Sequence, residues 1–231
     1  MSSSLRKEER KETQIIKVIV KEQNLAETLE LQKYKPLFEA VDNGDWRTTK
    51  AFLDYDHNAV RALISPTKET ALHVAILAGH VHIVKELVKL MTQKDLELIS
   101  GLGETALTTA AISGITEMAE TIVNKHAGAV SVGNEHGQIP VIVASFYDQK
   151  KMVRYLYRKT PIQELSPEKG TNGATLLNFL VSANIYGEHI HKHLYSSLFQ
   201  TLSYCMTLIL SVFCYRYCFA STETSPTTWF H

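Results

Sequence analysis

A spacing of 34 to 35 residues constrains this chain more than any other feature. The pair Ala71-Leu72 has counterparts at Pro36-Leu37, Ala106-Leu107, Pro140-Val141 and Thr175-Leu176, separated by 35, 35, 34 and 35 residues. Three residues after each pair come Ala40, Ala75, Ala110, Ala144 and Phe179, and four further on Gly44, Gly79, Gly114, Asp148 and Ala183. Small residues at one phase are what two closely packed helices need, and glycine suits the turn between them. The best-formed unit, Glu69 to Lys89, reads as a short helix, a Gly79-His80 break and a second apolar-periodic helix. Neither helix can cover its own apolar face, so each unit requires neighbours, and units of this kind stack.

Second helices are expected at Asp45 to Asp54, Val81 to Leu90, Ile115 to Asn124 and Gln149 to Tyr157, each with apolar residues recurring at i, i+3 or i+4. Thr70 and Thr105 occupy the helix N-cap position, and Pro36 and Pro140 fall where a first helical turn tolerates proline. Polar or Gly-bearing links at 65–69, 100–104, 133–138 and 169–173 punctuate the units as turns.

The signature Thr70-Ala71-Leu72-His73-Val74-Ala75 and the Gly79-His80 turn resemble ankyrin repeats. The resemblance implies an all-α ankyrin-repeat solenoid of helix-turn-helix units, about four full repeats and a partial fifth, over residues 33–187. Residues 37–46 and the repeat start at 173–177 are similar to plant ankyrin proteins of the accelerated-cell-death type. Those proteins carry a C-terminal membrane domain headed by Pro-Gly-Gly, a motif that does not occur in this sequence. The resemblance assigns Thr70, Leu72, His73, Ala75, Gly79, Thr105 and Gly114 to the structural signature of the repeat. It also places the residues before each interhelical turn in a concave groove: Asp42 and Asn43, Leu77 and Ala78, Ile112 and Ser113, Phe146 and Tyr147. That groove would be polar at the first repeat, increasingly apolar toward the fourth, and suited to a protein partner.

The flanks follow other rules. Residues 1–32 form a charged arm, expected to be partly disordered, and residues 188–193 are a His-rich linker. Residues 194–215 follow with no charged side chain, long enough to span a bilayer as an apolar helix but diluted by seven polar residues. The alternative for this helix is a cap over the last repeat. Residues 216–231 are expected as a disordered tail.

Lys plus Arg equals Asp plus Glu at 24 each, which provides no net field for nucleic acid. Cys205, Cys214 and Cys218 are confined to the C-terminal stretch, so no disulfide framework is indicated and the body suits a reducing compartment. No secretory leader is expected, because Lys17 interrupts the Ile15 to Val20 run. His189, His191 and His193 alternate without completing ligands beyond Glu188, so no metal or other cofactor is expected. Without a Gly-rich phosphate loop, G-x-S-x-G or H-E-x-x-H, nothing assembles a nucleophile, a base and an oxyanion site. The reading is therefore a non-enzymatic scaffold on the cytoplasmic side, without a small-molecule substrate, that binds another protein through its groove. Two alternatives stand beside it. One is a membrane-anchored subunit with a single span at 194–215; the other is a truncated form of a multi-span ankyrin membrane protein. The plant resemblance further implies stress or defence signalling.

Overall fold

The computed structural model describes residues 21, 22, 25, 28–165 and 176. Helix α1 runs through residues 28–42. It is followed by α2 (Trp46–Tyr55), α3 (Ala71–Leu77), α4 (Val81–Leu90), α5 (Ala106–Ser113), α6 (Thr116–Lys125), α7 (Pro140–Phe146), α8 (Lys150–Lys159) and α9 (Ile162–Leu165). No strand occurs among the described residues, only the isolated antiparallel bridges Leu63–Thr70 and Ile99–Thr105. The chain divides into two compact units, residues 1–161 and 162–231, and the expected repeat domain at 33–187 spans that division. Of the second unit, only α9 and residue 176 are described.

In the first unit α5 packs between α3 and α7, while α6 packs against α4 and α8, giving two layers of helices. Burial at these interfaces follows the sequence phase. Leu72, Ile76, Leu107, Val141 and Ile142 are buried from one layer, and Ile83, Leu87, Met118, Ile122, Met152 and Leu156 from the other. Ala75, Ala110 and Ala144, the small residues of the repeat, are fully buried; a larger side chain there would push adjacent helices apart.

The turn after each first helix requires a left-handed residue. Gly44, Gly79 and Gly114 supply it with φ of 77°, 80° and 72°, but the fourth repeat places Asp148 there at φ 51°. An L-residue in this region is strained by roughly 1–2 kcal/mol, less for Asp than for most. Asp148 is exposed and its carboxylate lies 3.9 Å from Lys150, a surface pair worth little. Asp148→Gly is therefore expected to raise unfolding free energy by about 0.5 kcal/mol, strain relief outweighing the extra freedom of the unfolded glycine. Urea denaturation followed by circular dichroism checks this, and a lowered midpoint would refute it.

One expectation needs correcting. Pro140 does open α7 at its first position, but Pro36 lies inside the continuous helix 28–42, which also runs through the expected 32/33 boundary. Proline removes one backbone donor, leaving the Gln32 carbonyl without its helical partner. Both residues are exposed, on a side of the helix where solvent is available to the orphaned carbonyl.

Among the described residues no helix is long and apolar enough to cross a membrane, and no cluster of three or more His, Cys, Asp or Glu is placed to hold a metal. The 194–215 stretch, expected as an apolar helix, lies outside the described residues, as do the 188–193 linker, the three cysteines and the tail.

Candidate partner-binding surface

The loops that lead into α3, α5 and α7 are built alike, although their sequences differ. Ser65, Ser100 and Asn134 occupy equivalent positions, and each side-chain oxygen accepts a backbone N–H four residues on, from Glu69 (3.0 Å), Glu104 (3.4 Å) and Gln138 (3.0 Å). Lys68 (φ 56°), Gly103 (φ 78°) and Gly137 (φ 71°) complete the same turn. Neighbouring loops are then tied tip to tip, with Gly101 N–H donating to Lys68 O (2.9 Å) and Glu135 N–H to Gly103 O (2.8 Å). A Cβ on Gly101 would lie 2.4 Å from the Thr67 carbonyl oxygen, so this glycine is what lets the second loop approach the first.

Signature residues behind the loops are engaged by hydrogen bonds within the fold. His73 is 1% exposed. Its Nε2 lies 3.1 Å from the Glu104 carbonyl oxygen, which can only accept, so Nε2 carries the proton. Nδ1 then accepts from the Thr70 hydroxyl at 2.8 Å. That bond occupies Thr70, which is why it sits at the N-cap of α3 without a side-chain capping bond. Burial, only partly offset by the Glu104 carbonyl and the Glu69 charge, pushes the His73 pKa down to about 4 and keeps the ring neutral. One repeat later Thr108 stands where His73 stood, and Thr105 is free to form a full capping box with it.

The second turns are stitched backward across one repeat. His80 Nε2 donates to Asp42 O (2.8 Å) and Gln149 Nε2 to Ile112 O (3.2 Å), while Ile115 lies over Gly79 at the same phase. Ion pairs between repeats join Lys85 to Glu117 and Arg61 Nε to Asp95 Oδ1 (2.6 Å). Burial works against the Asp95 carboxylate, but the Thr92 backbone and hydroxyl donors and the Arg61 guanidinium hold its pKa below the usual carboxylate value.

With internal polar groups used in this way, the first unit presents a set of apolar side chains to solvent. Of the residues expected in a groove, Leu77 is 51% exposed, Phe146 44% and Tyr147 55%. Asp42 and Asn43 are exposed, whereas Ala78, Ile112 and Ser113 are half-buried. Asn43 donates to Glu39 O (2.7 Å) and Ser113 to Ala110 O (2.9 Å), so both close helix ends. Three exposed apolar residues of the loops, Leu63, Ile99 and Leu102, lie outside the expected groove, as do Tyr55 and Leu90 at the C-terminal ends of α2 and α4. The signal was available at Gly101-Leu102-Gly103, a leucine in a tight turn with no length of chain to cover it.

A family model described as "Ankyrin repeats (3 copies)" matches residues 8–97 and 86–168. The mouse (Mus musculus) "Ankyrin repeat and SAM domain-containing protein 6" is 25% identical over 147 residues, 63% of this chain, and the match spans only 16% of that relative's length. Among solved structures, the chain resembles one from the crystal structure of the yeast ribosomal protein Rps3 in complex with its chaperone Yar1. There the TM-score is 0.51 at 17% identity, covering 57% of this chain and 95% of that one.

Proposed function

The chain belongs to the ankyrin-repeat family, and from that premise we propose that it is a non-enzymatic scaffold that binds another protein. The contact surface runs over the ends of α3, α5 and α7 and the loops beside them. The observation that carries this reading is the set of exposed apolar side chains Leu63, Leu77, Ile99, Leu102, Phe146 and Tyr147, on elements whose polar groups are mostly used internally. Isolated surface apolar residues are ordinary, but recurrence on successive loops and helix ends is what an interface core requires. The surface favours an apolar or aromatic partner segment. His73 and Thr70 serve the repeat junction, not chemistry.

The test is the triple variant Leu77→Ser, Leu102→Ser, Phe146→Ser, offered with wild type to proteins cross-linked by proximity labelling. Apolar anchors of this kind dominate interface energetics, so capture of the groove partner is expected to fall by at least about tenfold with unchanged circular dichroism. An unaltered set of captured proteins would show that the surface has been misassigned. The sequence likeness to plant ankyrin proteins supports a place in stress or defence signalling at the cytosolic side of a membrane. The uncharged stretch at 194–215 supports a second reading, in which the same repeats belong to a membrane-anchored subunit.

A further inference from the structure

The outer face of α8 does not fit a role as plain solvated surface. Its ten residues include Lys150, Lys151, Arg154, Arg158 and Lys159 and no acidic residue. All five cations are exposed, while Met152, Val153 and Leu156 are buried on the opposite side. The outer helices before it mix signs: α4 carries Lys85, Glu86 and Lys89, and α6 carries Glu117, Glu120 and Lys125. There the charges pair, Lys85 with Glu117 and Lys89 with Glu86. On α8, Lys150 reaches Asp148 at 3.9 Å, and Lys151, Arg154, Arg158 and Lys159 make no ion pair among the described residues.

This arrangement works against the helix. Arg158 and Lys159 complement the negative C-terminal end of the helix dipole, but Lys150 and Lys151 sit at the positive N-terminal end. Lys150, Arg154 and Arg158 are spaced at i, i+4 and i+8, where like charges repel. A helix that carries five of the chain's 24 cations and no acidic residue, two of the five against its own dipole, is complemented by an external anion. Overall neutrality conceals this, because the compensating acids lie elsewhere.

We propose that this face of α8 docks on an anionic lipid surface. The exposed side chains there are cations alone, with no apolar anchor of the sort a protein interface centres on. They include no exposed aromatic ring on which a nucleic-acid base could stack. A diffuse negative surface needs neither. The sequence adds the second component that stable membrane attachment calls for: the uncharged stretch at 194–215 begins 35 residues after Lys159. The proposal is independent of the apolar groove, whose residues it does not use.

The full chain is compared with Lys151→Gln/Arg154→Gln/Arg158→Gln by co-sedimentation with phosphatidylcholine vesicles, with and without about 30 mol% phosphatidylserine. Wild type is expected to gain at least about tenfold in partitioning when phosphatidylserine is present, and to lose that gain at about 0.5 M salt. The glutamine variant should lose the phosphatidylserine-dependent gain while keeping its binding to neutral vesicles and its circular dichroism. A control, Arg154→Lys/Arg158→Lys, should retain the gain, since a fluid anionic surface reads charge and not guanidinium geometry. An equal gain in wild type and glutamine variant, or none in wild type, overturns the proposal. So does tighter binding to polyglutamate or duplex RNA than to phosphatidylserine vesicles, which would assign the face to an acidic protein or a nucleic acid.

Discussion

Leu107→Ala is expected to lower the unfolding free energy by about 2–5 kcal/mol, the range for deleting a fully buried leucine side chain. Leu107 has no solvent exposure, and its helix α5 packs against α3, α6 and α7. The cavity therefore opens where three helices meet, in a close-packed region with little freedom to collapse. A stacked repeat is stabilised mainly through its neighbours, so the loss should also reduce cooperativity. The expected urea curve has a lower midpoint and a broader or two-step transition, while wild type unfolds more sharply. A loss below about 1 kcal/mol would mean that the α5 interfaces are not packed as described.

Acid should destabilise the protein specifically through His73. The ordinary histidine value is 6.5, and the folded-state value is lowered to about 4. Between those two pH values the unfolded chain takes up a proton at this site that the folded chain refuses. Stability from neutral His73 is therefore fully present above pH 6.5 and is lost as pH falls through about 4. The difference amounts to about 3 kcal/mol at the acid end of the window. Carboxylates also titrate there, so the measurement is the difference between wild type and His73→Gln, whose amide can still donate to Glu104 O. The wild-type free energy should fall more steeply than the variant's between pH 6.5 and 4. Parallel curves would show that the ring is not held neutral by burial.

The repeat architecture was legible because it is written as a period. Ala75, Gly79 and their counterparts recur at fixed spacing, and three of the four second helices lie within two residues of expectation at both ends, the fourth, α4, matching it outright. Pro36 was misplaced because local rules put proline at a helix start, whereas an exposed helix side can take one mid-course. The backward bonds of His80 and Gln149 were not legible, since side chains that meet across a repeat leave no local pattern. The loop apolar residues were overlooked because helix periodicity says nothing about turns. The α8 cations were visible in the sequence but were averaged away in a net charge of zero.

The bonds that run from one second turn back to the previous repeat hold a further consequence. The position is filled by an imidazole in one unit, an isoleucine side chain in the next and a carboxamide in the third, and all three lie over the turn glycine of the unit before, Gly44, Gly79 and Gly114, the two polar ones also reaching the equivalent carbonyls Asp42 O and Ile112 O. The seam is thus one lock, a turn glycine, filled by three different keys. A Cβ on Gly44 or Gly114 would sit within 2.9 Å of the side chain that arrives from the next unit, so these glycines set how closely consecutive units approach as well as the left-handed turn.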